Sequence, residues 1–423
     1  MAGKFYDIDP ETCSLEELES AIEKVENKEE YYHTMEQSAK VFINSIYGVF
    51  GTDFYNLSNT DLAESVTLQG QHLIKFSVDQ INNYYINKWN SDTEAHKAIA
   101  EKMKSMFPDF DSENFLTLAA SNPLTFSTLQ AYGDTDSAYI TFQPIIDACH
   151  IPVEQQVAFD VAVYECAMEE FLNERFEYYA KIFNCKENLE KFELEKISRT
   201  IIMLAKKNYM CDVAWVDTGD YLPPLSHITY TGYDVVKGGT PDFCRDEMKK
   251  FTEFVLEKLN NGIKPTQGEI VKKLREIKTR FAMQSPNDIS KATSISNYES
   301  FIKDDKSFQG IEYFEVRNKK GTVIPPPIHV RAAAIYNNML FNKAKKYITK
   351  YNLLKSGDKV KMYYINENEV FGFIPDHYPA EFAPAMDLDT QFDKVLLSPL
   401  NRIISALGYD EVPPALTYRT RLF

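Results

Sequence analysis

The chain has no two cysteines spaced as a CxxC pair. Its six cysteines (Cys13, Cys149, Cys166, Cys185, Cys211 and Cys244) are scattered, and its seven histidines do not gather around them. That spacing argues against a zinc site and a disulfide framework, and it predicts reduced thiols in a cytoplasm. Long apolar runs are missing as well. Nothing approaches the roughly 18 uninterrupted apolar residues of a membrane span, so no membrane association is expected. The opening MAGKFYDIDPETC has no apolar core of the kind a secretory signal needs. Basic charge is also in deficit: 46 Lys and Arg face 62 Asp and Glu, for a net charge of −16. Composition therefore lends no support to binding a polyanion. The deficit is uneven, however. Residues 1–30 hold ten acidic side chains against three lysines, whereas residues 343–361 hold seven lysines against the single acid Asp358.

What is present is enough to build cores. Hydrophobic residues make up 44% of the 423 and aromatics 13%, which implies a globular protein of two or three domains. Ser14 followed by Glu17 reads as a capping box opening a helix over 14–27, and a second helix is expected from about 29 to 49, ended by Gly48 and Gly51. Periodicity predicts further helices near 61–88, 152–183, 242–260, 267–280, 331–350 and 389–407. Strands are expected near 192–203, 208–216, 228–236 and 358–373. Residues 90–127, polar and punctuated by proline, read as irregular or inserted. The sum is an α+β layout of helices on a small antiparallel sheet followed by a mixed domain.

One stretch carries chemistry that its surroundings do not explain. QAYGDTDSAYI (130–140) alternates like two short strands joined by a turn at Gly133-Asp134-Thr135, with Asp134 and Asp136 two residues apart. Two carboxylates so close repel each other, and each raises the cost of ionising its neighbour. A divalent cation between them relieves that cost, and an oxygen-only pair suits Mg²⁺ better than zinc. A solvated surface turn accounts for the same residues, since Asp-Thr-Asp-Ser is ordinary turn chemistry.

A second stretch, KVFINSIYG, places Lys40, Asn44 and Tyr47 at i, i+4 and i+7, on one helix face. A lysine there can hold a triphosphate as a point charge, and Tyr47 offers a flat surface to a base or sugar. Gly48 lets a backbone or nucleotide pass close. The plainer alternative is an amphipathic helix that buries Phe42, Ile43 and Ile46 and leaves Lys40 in solvent.

Taken together, a Kx₃NSxYG helix followed by YGDTDS resembles motifs B and C of the family B DNA polymerases. AKKNYM, with Lys206, Lys207 and Tyr209, is similar to that family's KKRY motif. YTGYDVVKGGTP (230–241) and PIHVRAAAIY (327–336) resemble thumb segments of the replicative polymerases of large tailed phages. The resemblance runs from about Tyr31 to the C-terminus. It implies part of a right-hand polymerase fold: residues 1–50 as the C-terminal part of the fingers, 51–229 as the palm and 230–423 as the thumb. By the same resemblance Asp136 and Asp134 are catalytic metal ligands of a two-Mg²⁺ site. Lys40, Asn44 and Tyr47 bind the incoming dNTP, while Lys206, Lys207 and Tyr209 contact primer–template DNA.

Three departures from the family pattern matter. Asn208 stands where the KKRY motif has arginine. The segment between motifs B and C is long. Motif A, a DxxSLYPS-type strand that carries the other principal metal-binding aspartate, is absent, as is the exonuclease. The expectation is therefore the C-terminal chain of a split DNA-directed DNA polymerase, working with an N-terminal polymerase/exonuclease chain. The alternatives are a catalytically inactive DNA-binding remnant and, less fitting for its long thumb, a protein-primed relative. Glu193 and Glu195 stand where the family carries an acidic residue near the metals, although a strand edge explains them equally well. The C-terminal PPALTYRTRLF, ending in Leu422 and Phe423, resembles a sliding-clamp peptide, with Arg419 and Arg421 where an acid is usual.

Overall fold

Ser14 opens the first helix through its capping box. Its hydroxyl accepts the Glu17 N–H at 3.3 Å, and the Glu17 carboxylate accepts the Ser14 N–H at 2.9 Å. The computed structural model describes residues 13–134, 137–303 and 313–418. From Ser14, helix α1 runs unbroken over Leu15–Phe50. This corrects the expectation of two helices parted near residue 28. No glycine or proline stands between Ser14 and Gly48, so nothing there removes a donor or favours another backbone conformation.

The fold divides into two compact units, one of Met1–His150 with Glu170–Glu190, the other of Ile151–Glu169 with Lys191–Phe423. In the first, α1 is followed by α2 (Thr60–Asn87), α3 (Thr93–Met106) and α4 (Ser112–Ser121). The hairpin β1–β2 (Gln130–Asp134 and Ser137–Ile140) and α5 (Gln143–Cys149) come next. Helix α6 (Gln156–Val163) belongs to the second unit. A π-helical turn at Tyr164–Met168 leads into α7 (Glu169–Ile182), most of which belongs to the first.

Residues 90–127 are not irregular. Asp92 and Asp111 cap α3 and α4 by accepting the N–H groups of Ala95 and Asn114 at 3.2 and 3.0 Å. Pro108 and Pro123 fall after the helices rather than inside them. Trp89, Ile99, Met103 and Phe115 form the buried core of this helical pair. His96 is buried with them, its ring centroid 4.6 Å from that of Trp89.

The second unit is built on the antiparallel sheet β3–β4–β5 (Lys196–Ala205, Asn208–Val216, Ile228–Thr231), with β4 in the middle. Helices α8 (Asp242–Asn260) and α9 (Gln267–Phe281) share a core with it, through Met210, Tyr233, Phe251, Phe281 and Leu400. A second cluster, around Tyr336, Tyr363 and Phe371, fills the space beside the sheet formed by Lys291–Ser294, Lys359–Tyr364 and Val370–Phe373. Helices with small antiparallel sheets make the α+β layout that the sequence predicts.

Asp212 sits wholly buried on central strand β4. Its carboxylate accepts the Leu225 N–H at 2.9 Å and the Asn260 side-chain amide at 2.7 Å, with the Arg199 guanidinium 3.7 Å away. Thr200 donates to the other side of Asn260 at 2.7 Å, and Arg199 also donates to the Leu222 carbonyl. One carboxylate therefore holds β3, α8 and the turn at Leu225, whose φ of 61° is costly for a residue with a Cβ.

Two outcomes follow from these buried groups. Asp212→Ala strands Arg199, Asn260 and the Leu225 amide together, and urea unfolding should show a loss of about 3–5 kcal/mol. Desolvation holds the His96 pKa below its ordinary 6.5, against the opposing pull of Asp92. The fold thus disfavours the charged ring, so stability is full above pH 6.5 and falls as the pH drops below it. Thermal melts of His96→Phe should lose stability less steeply on that acid side than the unaltered protein.

Candidate functional site

Helix α1 presents Lys40, Asn44 and Tyr47 along one line, all exposed. Lys40 Nζ lies 2.6 Å from the Glu36 carboxylate one turn back, and that hydrogen bond holds the Glu36 pKa below its usual range. Exposed pairs of this kind are weak, so a polyanion could displace Glu36 at little cost. The Tyr47 hydroxyl is 2.7 Å from the Thr67 hydroxyl on α2. The alternative in which this helix buries Phe42, Ile43 and Ile46 is corrected: these three are 68%, 64% and 44% exposed. Within α1, Ala21 is the one buried residue. A Cβ at Gly48 would meet nothing within 4 Å, so packing does not demand glycine there.

The β1–β2 hairpin pairs Tyr132 with Tyr139, Gly133 with Ala138 and Asp134 with Ser137, so β1 continues as strand through Asp134. The two tyrosine rings lie 5.5 Å apart. The hairpin is tied to α2 at its base: Asn82 Oδ1 accepts the Leu129 N–H at 2.8 Å, and its amide donates to Thr128 at 3.2 Å. Asp134 is half-buried. Asp136, Leu422 and Phe423 lie outside the described residues.

Helix α2 thus touches both elements, α1 at Thr67 and the hairpin at Asn82. Those anchors are 15 residues apart, or about 22 Å along the helix axis at 1.5 Å per residue. One scaffold helix carries both motifs without gathering their anchors at one point. The carboxylate pair has the donor chemistry that Mg²⁺ takes, but among the described residues no three Asp, Glu, His or Cys side chains converge as a metal site. The described ligand set is partial.

In the second unit, Lys206 and Lys207 form the exposed two-residue turn between β3 and β4. Tyr209 lies just inside it, mostly buried and paired with Met203 and Thr231. Glu193 and Glu195 precede β3 and are exposed, with Glu193 2.5 Å from Lys191. In the lysine-rich stretch, Lys350 pairs with Glu381. Lys345 and Lys346 lie over the rings of Phe341 and Tyr347. The sequence reading passed over Asp212. An aspartate in the middle of the apolar strand NYMCDVAWV was the available signal, since a buried carboxylate requires partners.

Over 417 residues the chain is 21% identical to the DNA-directed DNA polymerase of Enterobacteria phage T4, an alignment covering 93% of this chain and 39% of that protein. It is 27% identical over 249 residues to the DNA polymerase of Choristoneura biennis entomopoxvirus, covering 55% of this chain and 22% of that one. It is 24% identical over 230 residues to DNA polymerase 1 of Aeropyrum pernix, covering 54% of this chain and 15% of that one. The chain thus spans well under half the length of each of these curated relatives. The family pattern described as DNA polymerase family B matches residues 16–304, which includes both the α1 motif and the hairpin and is well over half of the 423 residues. The chain belongs to DNA polymerase family B.

Proposed function

We propose that these residues are the C-terminal portion of a template-directed DNA polymerase, extending a primer 3′-OH with dNTPs on primer–template DNA. The observation that carries this reading is the pair of chemically specific stretches, KVFINSIYG on an exposed helix with Lys40, Asn44 and Tyr47 along one face, and YGDTDS at a strand hairpin, both within the family match. In this reading residues 1–50 belong to the fingers, 51–229 to the palm and 230–423 to the thumb. Lys40 binds the triphosphate once Glu36 is displaced, and Asn44 and Tyr47 line the base-pair pocket. Asp134 and Asp136 supply oxygen ligands. Members of this family generally use Mg²⁺, which neutralises charge on the transferring phosphate when bound. Lys206 and Lys207 meet duplex phosphates, which position the duplex without reading sequence.

The site needs residues that these 423 do not contain, above all a motif A aspartate. We take them to come from an N-terminal polymerase/exonuclease chain. The surface of the first unit supports this. Val41, Phe42 and Ile43 are each mostly exposed on α1, and Phe54 just beyond it is 94% exposed. Uncovered apolar side chains in such number mark an interaction surface rather than a solvent face. The complement should bury more than the ~1,600 Å² of a standard contact.

In the same reading the peptide beyond the described residues binds a sliding clamp, the alternative being a terminus that is frayed or folded back onto the thumb. Arg275 donates to the Leu416 carbonyl at 2.9 Å, and Lys278 Nζ lies 3.5 Å from the centroid of the Tyr418 ring. The chain is thus fastened to α9 as far as Tyr418. Leu422 and Phe423 follow it as a short apolar anchor for a sliding clamp.

Primer extension tests the catalytic reading. The chain combined with a complement that supplies motif A should extend a primer in Mg²⁺, and Asp136→Ala should abolish extension while duplex affinity stays nearly unchanged. Extension by Asp136→Ala at the unaltered rate would remove the metal assignment. Duplex binding without synthesis in the combined sample would favour the catalytically inactive DNA-binding alternative. For the tail, deleting residues 419–423 leaves the packed base intact, and products made with a cognate clamp on a long template should become shorter. Equal lengths would separate the tail from the clamp.

A further inference from the structure

We infer that Asn208 and Gly232 are positioning residues that fix the Lys206–Lys207 turn in the shape in which it meets duplex phosphates. This rests on the duplex-contact reading above. Two-residue hairpin turns that match strand twist place their first residue, or both, at positive φ. Here, of the two, the second is the one at positive φ: Lys207 has φ 56°. A lysine in that region lacks the freedom of glycine. The flanking ladder is irregular too. Met203 pairs with Tyr209 and Ala205 with Asn208, so Leu204 is left as an extra residue. Neither the turn sequence nor the ladder selects this shape, so support must come from outside the hairpin.

That support is the chain at Gly232, directly after β5. A Cβ built on Gly232 would lie 2.1 Å from the Lys207 carbonyl oxygen and 3.2 Å from its carbon. Gly232 itself has φ 64°. The Lys207 peptide can therefore rest against this backbone only because no side chain intervenes. Asn208 closes the contact from the other side, its amide donating to the Gly232 carbonyl at 3.1 Å. Among the described residues its buried Oδ1 has no hydrogen-bond partner, so this donated bond sets how the amide lies. The asparagine thus replaces the arginine of the KKRY motif with a neutral bracket that carries no charge to the DNA. It acts through the two lysines beside it.

The test is binding of the full chain to a fluorescent primer–template duplex across a range of salt concentrations, with four proteins. These are the unaltered chain, Asn208→Leu, the double variant Lys206→Ala with Lys207→Ala, and the triple combination. Leucine keeps the bulk of asparagine, removes the donor and leaves the charge unchanged. The double variant should flatten the slope of log affinity against log salt by about 1.8, or 0.9 for each phosphate that no longer meets a lysine. Asn208→Leu alone should flatten it by about 0.9, with both lysines still present. In the double-variant background the same change should do nothing, whereas a purely structural role would weaken binding equally in both backgrounds. A flattened slope in the double variant with none in Asn208→Leu overturns the bracket and leaves the duplex contact standing. An unchanged slope in the double variant overturns the duplex contact, and with it the positioning role. Amide hydrogen exchange then decides the bracket as a purely structural device: faster exchange around Lys207 and Gly232 in Asn208→Leu upholds it, and unchanged exchange removes it.

Discussion

A helix of 36 residues that buries a single side chain is not held in place by its own packing. That constraint governs how the rest of the protein reads. Helix α1 has a good start at its capping box and no internal breaker, so local propensity explains why it is helical. Most helical stability in proteins comes from packing an apolar face. Along α1 the apolar side chains are present but uncovered, from Leu15, Ile22 and Val25 to Phe42, Ile43 and Ile46. Tyr47 reaches α2 through one hydroxyl pair. The element that carries Lys40, Asn44 and Tyr47 is therefore the one whose setting depends most on what covers it.

The second unit is organised in the opposite way. Its sheet is pinned from within by Asp212, which accepts hydrogen bonds from α8 and the Leu225 turn and has Arg199 of β3 as an ion-pair neighbour 3.7 Å away. A buried carboxylate with several donors is stable as a set and costly to break singly. The rigid sheet then ends in a short turn whose backbone is wedged against Gly232. Rigidity at the strand base and a fitted contact at its tip together give the two lysines a fixed place, as charged groups need if they are to meet a regular array of phosphates.

The sequence made some of this legible and hid the rest for physical reasons. Capping boxes, alternating strands and the glycine–aspartate hairpin are local signals, and they locate the two ends of α1, though not its continuity, and β1, β2 and the β3–β4 ladder within a few residues. The helices at 93–121 were missed because their polar faces and flanking prolines outweighed the caps at Asp92 and Asp111, which accept hydrogen bonds from the first turns. The exposure of Phe42 and Ile43 was not legible at all. An apolar residue on a helix is expected to be buried, and only the tertiary arrangement tells that nothing among the described residues covers it. Likewise Asn208 read as a lost positive charge, because its bond to Gly232 joins residues 24 apart.

The net charge of −16 then ceases to be an obstacle to a duplex contact. At physiological salt, exposed charges more than about 8 Å apart are largely screened, so a phosphate responds to the charges beside it rather than to the total. Lys206 and Lys207 stand in the turn between the uncharged Ala205 and Asn208. In the lysine-rich stretch the charges divide. Lys350 is matched by Glu381, and Lys361 donates to Asn287 with Asp376 4.0 Å away. Lys345 and Lys346 rest on aromatic rings, which hold the cation without cancelling it. The acidic excess is thus partly spent on internal pairs, while the cations of Lys345 and Lys346 are held by rings rather than by acids.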